Sequence, residues 1–496
     1  MKHNKFVKAA ILFSAIILLQ NFAHAQTRTA SVKINDQVTY QKITGFGGFV
    51  NSPQFGYNHM TTAEIRKIWG ENSELKYNIM RLYIPIGSTT NPESSWQQVI
   101  STAKLGKELG LIVFASPWSM PPAWKTNNNI QNGSLKKEHY GDYAEYLNKF
   151  VVFLRKNGVE LDAISIQNEP DWDVGYAGCR WTPAEMVEFL KEHRSKISCK
   201  VMAPETVPFS SDSYVNALNA DDVFDLFDVY AGHQYGNNHN PGTAHKKLAA
   251  KGKEIWQSEY LINWVPDGTP ANDTKYNFSW SRDAFDFTKA INDCMLADVN
   301  AWVHYAAKRY YGMLGDNTRG TKTGEITKRG YILAHYAKYT TGSTRIEHVF
   351  GGQFSTLSGS AYLSETGDKV IMMVINNSAT YDYSLTVNLP FLASSGICVT
   401  TTEAADMNMK ETVIDMEETS SPKVNIGVSS VTTLVFTKSG ANAIGEIKNM
   451  PTVLSEEYYT IMGQKVSPEK NNLKGIYVVK SLMSDGSVSS RKILIP

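Results

Sequence analysis

The sequence predicts an α/β protein, a (β/α)8 TIM barrel with an attached β-sandwich side domain and a small C-terminal β module. Three observations carry that reading. Between residues 45 and 336, eight short apolar runs alternate with longer amphipathic segments, the pattern of repeated βα units. From 337 to 438 the pattern changes to short β-rich runs broken by Gly, Ser, Asn and Pro. A linker-like stretch, 439–457, then leads into three further short strands within 458–496.

Taken in order, the chain opens on Met1-Lys-His-Asn-Lys-Phe-Val-Lys8, an apolar run from Ala9 to Leu19, and Ala23-His-Ala25. Basic start, short apolar middle and A-x-A end read as a secretory signal peptide over residues 1–25. The mature protein is expected to begin near Gln26 and to be secreted, periplasmic or held at the cell surface. The apolar run is too short to span a bilayer comfortably, and no later stretch is long enough. Residues 26–44 contain the alternating run Thr29–Ile34, which is expected to add an N-terminal strand to the side domain on the far side of the barrel in sequence.

The eight barrel strands are read at Gly45–Phe49, Ile79–Ile84, Leu111–Ala115, Ala163–Gln167, Lys200–Ala203, Val229–His233, Glu254–Ser258 and Ala301–Tyr305. Helices fit between them. In Tyr140–Lys156, for example, Tyr143, Leu147, Phe150, Val151 and Leu154 recur at helical spacing. Asp142 and Glu145 lie in its first turns and Lys156-Asn157-Gly158 closes it, as the macrodipole and C-cap preferences require. Eight strands over roughly 290 residues match the usual size of such a barrel; a doubly wound open sheet is the alternative. Beyond it, Lys369–Ile375 and Val431–Phe436 read as strands of an antiparallel sandwich. The last unit, with Tyr458–Val466, Leu473–Lys480 and Ser490–Ile495, resembles the C-terminal sorting domain of the type IX secretion pathway, which implies handling by outer-membrane secretion machinery.

Composition narrows the function. Lys and Arg total 49 against 48 Asp and Glu, so no overall field draws the chain to nucleic acid or to an anionic membrane surface. Ten Trp and 25 Tyr suit stacking on flat apolar faces such as those of sugar rings, although most such rings fill cores. Cys179, Cys199, Cys294 and Cys398 are too few and too scattered for a disulfide framework or a zinc site; export permits a Cys179–Cys199 bridge without requiring one. His233, His239 and His245 recur every six residues, but that spacing in an Asn- and Gly-rich stretch suits no compact ligand set. No metal and no cofactor are expected.

In a (β/α)8 barrel the reacting groups sit just past the C-terminal ends of the strands. Two such places carry a carboxylate: Ile164-Ser-Ile-Gln-Asn-Glu-Pro170 after the fourth strand and Ile255-Trp-Gln-Ser-Glu-Tyr260 after the seventh. Breaking a glycosidic bond requires a proton donor for the departing oxygen and an anion facing the oxocarbenium-like centre, tasks that Glu169 and Glu259 can divide. As the acid, Glu169 would need its pKa raised by apolar surroundings or a charged neighbour, whereas a hydrogen-bonded Glu259 would stay ionised. A glutamate at a strand end can also be a plain solvated or capping residue. Asn-Glu-Pro changes that balance, because it resembles the acid/base motif of the retaining glycosidases whose strands four and seven carry the two glutamates.

Ile43-Thr-Gly-Phe-Gly-Gly48, Ser116-Pro-Trp-Ser-Met-Pro-Pro-Ala-Trp124 and Ile164-Ser-Ile-Gln-Asn-Glu-Pro-Asp171 narrow the resemblance to glycoside hydrolase family 30, over nearly all of residues 30–438. Lys308-Arg-Tyr-Tyr-Gly312, Thr327-Lys-Arg-Gly-Tyr331 and Ala334-His-Tyr-Ala-Lys338 resemble its bacterial glucuronoxylanases. The resemblance implies a secreted, retaining endo-β-1,4-xylanase with Glu169 as acid/base and Glu259 as nucleophile, acting on a polysaccharide, the backbone of glucuronoxylan. It also implies that Arg309 and Tyr311 grip the 4-O-methylglucuronate branch, that Asn168 bonds the sugar 2-hydroxyl and that Arg81 orients the nucleophile. Trp118 and Trp124 would offer stacking surfaces, and His233, Tyr235 and Tyr305 would line the cleft.

The chain departs from that pattern after the nucleophile. Where glucuronoxylanases carry His-Tyr and then a nearby Ser, it has Tyr260-Leu261 and then Asn263-Trp264, which loosens the expected dependence on the acidic branch. The rival readings are another activity on the same scaffold, such as a β-1,6-glucanase or an exo-acting β-glycosidase, and a non-catalytic glycan-binding surface protein. Arg309 and Tyr311 favour xylan over the first, and intact Glu169, Asn168 and Glu259 argue against the second.

Overall fold

The computed structural model describes residues 26–440 apart from 55, 57, 58, 237, 238, 267, 271 and 272, and residues 453–495 apart from 461, 468–474 and 484–487. The signal peptide expected at 1–25 and most of the expected linker lie outside the described residues.

Eight parallel strands close into a barrel: Gly45–Phe49, Ile79–Ile84, Ile112–Pro117, Ala163–Ser165, Lys200–Thr206, Val229–His233, Glu254–Glu259 and Ala301–His304, the last pairing back onto the first. They follow the predicted order; Gly45–Phe49, Ile79–Ile84 and Val229–His233 keep the predicted bounds, and the other five have ends shifted by one to three residues. Strand Ile79–Ile84 is buried along its whole length, as expected of parallel strands covered on both faces. Ile79, Phe114, Ala163, Met202, Val229, Trp256, Ala301 and their neighbours fill the barrel interior. Side chains alternate along a strand, so the inward residue two positions further on lies one layer higher. That step converts Ile79 to Arg81, Phe114 to Ser116, Ala163 to Ser165 and Ala231 to His233, setting a polar layer directly on the apolar plug.

The predicted helix over Tyr140–Lys156 forms with those bounds and buries Tyr143, Leu147, Phe150, Val151 and Leu154. The last barrel helix, Lys328–Thr340, runs past the expected boundary at 336, because Ala337 and Thr340 are still buried against the barrel and side sheet.

The side domain is one curled nine-stranded sheet, and every long strand contributes to a single apolar core. The N-terminal strand Gln26–Lys42 joins it as predicted. It pairs antiparallel with Thr344–Phe350 but parallel with Tyr381–Asn388, so the sheet is not wholly antiparallel. A strand that enters from before the barrel is free of hairpin geometry and can run either way. Strand Lys369–Asn376 explains the apolar run read there: Val370, Met372 and Val374 face the sheet's own core, whereas Ile371, Met373 and Ile375 pack with the barrel helices. Between the two layers His335 binds the hydroxyls of Thr433 and Thr401, at 2.7 and 2.8 Å.

The C-terminal unit is a separate four-stranded sheet rather than a three-stranded one. It starts at Val453, earlier than the expected 458, and gains the short strand Lys465–Val466. All four cysteines are free thiols, so the permitted Cys179–Cys199 bridge is absent.

All ten tryptophans fall between residues 69 and 302, within the barrel, and among the described residues only Trp280 bonds the side domain, through the Ser429 carbonyl, so their fluorescence reports chiefly on the barrel. Met372→Ala in the buried sheet core should destabilise by about 2–5 kcal/mol. Because barrel and sheet share an apolar interface, the tryptophan-monitored denaturant transition should shift with it; an unshifted transition would mean that the two layers unfold independently.

Candidate active site

Glu169 leaves the fourth strand and Glu259 ends the seventh, and both face a cleft of about 1350 Å³ at the C-terminal mouth of the barrel. Glu169 adopts a left-handed backbone (φ 50°), a conformation that non-glycine residues hold only when the surroundings enforce it. Asn168 N–H to the Pro117 carbonyl (2.9 Å) and Glu169 N–H to the Glu205 carbonyl (3.1 Å) fasten this turn.

Arg81 lies wholly buried between these groups. Its guanidinium donates to Glu259, to Asn168 Oδ1 (2.6 Å) and to Glu205 (3.3 Å), while Nε reaches Ser116 Oγ (3.2 Å). Since Arg81 occupies the Asn168 oxygen, the amide nitrogen of that residue is left as a donor toward the cleft. Tyr235 donates to the second oxygen of Glu259 at 3.1 Å. Glu169 accepts from the Tyr176 hydroxyl and, at 3.1 Å, from His233 Nδ1.

His233 is enclosed by carboxylates, with Glu259 3.9 Å from Nδ1 and Glu205 3.9 Å from Nε2. Burial alone would strip its proton; Glu259, Glu169 and Glu205 reverse that and hold the imidazole up at about 10. Glu169 shows the complement. Burial pushes its carboxyl up, but hydrogen bonds from His233 and Tyr176 and the charge of Arg81 outweigh it and leave the pKa below the ordinary value. Against the expectation of a raised carboxyl, the surroundings of Glu169 lower it, and the carboxylate faces a cationic partner in His233.

Of the other predicted residues, Trp118 and Tyr305 line the cleft, and Tyr305 is fixed by Ser52 (2.9 Å) and Gln54 (2.8 Å). Trp124 does not reach it: the ring stacks on His139 at 5.9 Å and packs edge-on against Tyr146. Tyr311 is also misplaced as a ligand contact, being fully buried beside His304 and Trp264 with no hydrogen-bond partner for its hydroxyl among the described residues. Arg309 does line the cleft, but Asp316 holds its guanidinium at 2.9 Å. Short loops after strands hide such outcomes, because a turn of one residue swaps a side chain between cleft and core.

Sequence reasoning missed Glu205, Tyr176 and Trp172. Glu205 follows the apolar run of the fifth strand, so the positional rule that selects Glu169 and Glu259 selects it too. Tyr176 and Trp172 sit in the loop after Glu169, where no periodicity marks them. Trp172 and Trp264 expose 57% and 49% of their surface along the cleft, which makes them its accessible stacking faces.

Glu169, His233 and Glu259 place one metal-ligating atom each within 4.8 Å of one another. The set does not fit a divalent ion, because Arg81 already binds Glu259 and a protonated His233 has no lone pair to offer. His239 and His245 are committed elsewhere, the first against Tyr260 and the second to Ser210 and the Ala297 carbonyl.

Residues 93–231 match the glycosyl hydrolase family 30 TIM-barrel domain. Glucuronoxylanase XynC of Bacillus subtilis is 31% identical over 360 residues, covering 71% of this chain and 79% of that protein. The chain belongs to glycoside hydrolase family 30. Among solved structures, a family 30 subfamily 8 xylanase from Clostridium acetobutylicum superposes with a TM-score of 0.69 at 27% identity, over 82% of this chain and all but 1% of that one. A family 30 endoxylanase from Clostridium papyrosolvens gives 0.67 at 28% identity, over 83% and 100%. The protein is thus a glycoside hydrolase, and its barrel and side sheet are the fold of that family.

The charges of the site make the stability of this family 30 enzyme depend on pH from both sides. Burial raises the Glu205 carboxyl, but Arg81 and His233 prevail and bring it to about 2, below its ordinary 4.5, so its contribution is present above 4.5 and lost as pH falls toward 2. His233, raised from 6.5 to about 10, contributes fully below 6.5 and loses that contribution as pH climbs toward 10. Melting temperature should peak between about pH 4.5 and 6.5. His233→Gln should flatten the alkaline decline; an equally steep decline in that variant would contradict the assignment.

Proposed function

We propose that this glycoside hydrolase is a secreted endo-β-1,4-xylanase that retains anomeric configuration. The observation that carries the reading is the closeness of Glu169 and Glu259, whose oxygens approach within 4.8 Å. That is near the roughly 5–5.5 Å suited to double displacement and short of the roughly 6.5–9.5 Å that leaves room for a water in inverting enzymes.

In the first step a Glu259 oxygen bonds to the anomeric carbon as the bond to the leaving oxygen breaks, and Glu169 gives that oxygen its proton. His233 Nδ1, 3.1 Å from the Glu169 carboxylate, is the neighbour with which Glu169 shares this proton. In the second step Glu169, now a carboxylate, takes a proton from water, the water oxygen bonds to the anomeric carbon, and the ester to Glu259 breaks. Arg81 and Tyr235 hold Glu259 in line, and the Asn168 amide meets the 2-hydroxyl, a contact that strengthens toward the transition state. Trp172 and Trp264 supply stacking faces for successive sugars.

Xylan is supported by the names of the relatives, a glucuronoxylanase and xylanases. The acidic branch is another matter. Arg309 lines the cleft but is already paired with Asp316, and Tyr311 is buried, so the grip on a glucuronate is weaker than the resemblance implies. Export is supported by the composition of residues 1–25, and the separate C-terminal unit suits a sorting module read by outer-membrane secretion machinery.

The test is the product profile on linear xylan and on glucuronoxylan, read by mass. Neutral oligosaccharides should appear from linear xylan at a rate within about tenfold of that on glucuronoxylan, and Glu169→Ala should lower that rate by about 10²–10⁴-fold. Acidic products alone would restore the branch as a requirement; no product from either polymer, with release from another β-glycan, would overturn the xylanase reading.

A further inference from the structure

The fifth barrel strand carries, one residue before its end, a third buried carboxylate that the two-step reaction leaves unused. Glu205 is wholly inaccessible to solvent and, like Glu169, adopts a left-handed backbone, with φ at 59°. Its own carbonyl accepts the Glu169 N–H, so the two strained residues lock one another. The Glu205 carboxylate lies 3.3 Å from Arg81 and 3.9 Å from His233 Nε2, and the Ser165 hydroxyl supports its charge.

We propose that Glu205 is a positioning residue that, across His233, holds a proton on the Glu169–His233 pair ahead of the first step, ready for delivery to the leaving oxygen. The inference rests on the reading of Glu169 as acid/base.

The groups facing His233 are few. Glu169 and Glu259 address Nδ1, Glu205 addresses Nε2, Tyr235 packs edge-on at 5.9 Å, and Arg81 spans Glu259 and Glu205. Asp171 and the hydroxyls of Tyr176 and Tyr305 lie in the shell beyond. Of the three carboxylates on the imidazole, two change charge during turnover. Glu169 gains and loses a proton, and Glu259 becomes a neutral ester in the covalent intermediate. Glu205 alone stays anionic throughout, on the opposite ring nitrogen from both. It therefore sets a constant field against which the proton moves between His233 and Glu169. Without it, burial would favour a neutral imidazole, and the pair would enter the first step, or be left after the second, without its proton.

Glu205→Gln keeps size and hydrogen-bonding capacity but removes the charge. The basic limb of kcat/KM on linear xylan should then move to lower pH by at least about one unit, while Glu205→Asp should return it toward the wild-type position. Independently of activity, the full chain labelled with 15N-histidine, with His233→Gln for assignment, should show wild-type His233 titrating well above 6.5 and falling by at least about one unit in Glu205→Gln. An unmoved limb and unmoved His233 titration in a folded Glu205→Gln protein would overturn the proposal. So would a wild-type His233 that titrates at or below its ordinary 6.5, a result that needs no variant to fold. If the His233 titration moves as expected but no β-glycan is hydrolysed, the charge linkage is supported and the reading of Glu169 as acid/base is overturned.

Discussion

A buried guanidinium left without partners costs several kcal/mol, and Arg81 avoids that cost by bonding Glu259, Asn168, Glu205 and Ser116 at once. Those four residues come from or just follow the third, fourth, fifth and seventh barrel strands, and Arg81 itself belongs to the second. The planar fork of the side chain therefore fixes the relative positions of five strand ends, something a lysine with its single charged point could not do. The rest of the site hangs on this fork. Glu259 is aimed by it, Asn168 is turned by it so that its amide faces the cleft, and Glu205 is kept ionised by it opposite His233.

The barrel makes such an arrangement possible through its layering. Apolar side chains fill the interior below, and the polar residues two positions further along the same strands sit on a solid floor that excludes water from one side. Low dielectric there strengthens each pairing and penalises each unpaired charge, so five ionisable groups settle into a single pattern. His233 is the element that balances it: three carboxylates against one arginine leave an excess of negative charge that a proton on the imidazole reduces. The side sheet contributes at a distance, by burying the outer face of the last two helices and so holding the eighth strand in place.

Most of this architecture is legible in the sequence because it follows from period. Eight apolar runs, each short and closed by polar residues, gave strand positions to within a few residues, and the helical repeat gave Tyr140–Lys156 without error. The placement of Glu169 and Glu259 at the cleft was legible because strand ends in this fold are informative positions and Asn-Glu-Pro is distinctive. What was not legible depends on rotamers and on turns of one or two residues. Tyr311 follows a strand as closely as Tyr305 does, yet one faces the core and the other the cleft. Trp124 has the composition of a platform but meets His139 instead. Arg309 is where it was expected, and only Asp316, seven residues on, reveals that its charge is already matched. The parallel pairing of the N-terminal strand was likewise invisible, since alternation fixes which faces are apolar and not the direction of the neighbour.

The account stands on Glu259 as the residue that bonds to sugar. A 2-deoxy-2-fluoro xylobioside with a good leaving group should trap that bond, because the fluorine slows both steps and the leaving group restores the first. Peptide mass analysis of the inactivated protein should find one added sugar on the peptide containing Glu259 and none on that containing Glu169. Label on Glu169, or time-dependent inactivation that survives in Glu259→Gln, would contradict it.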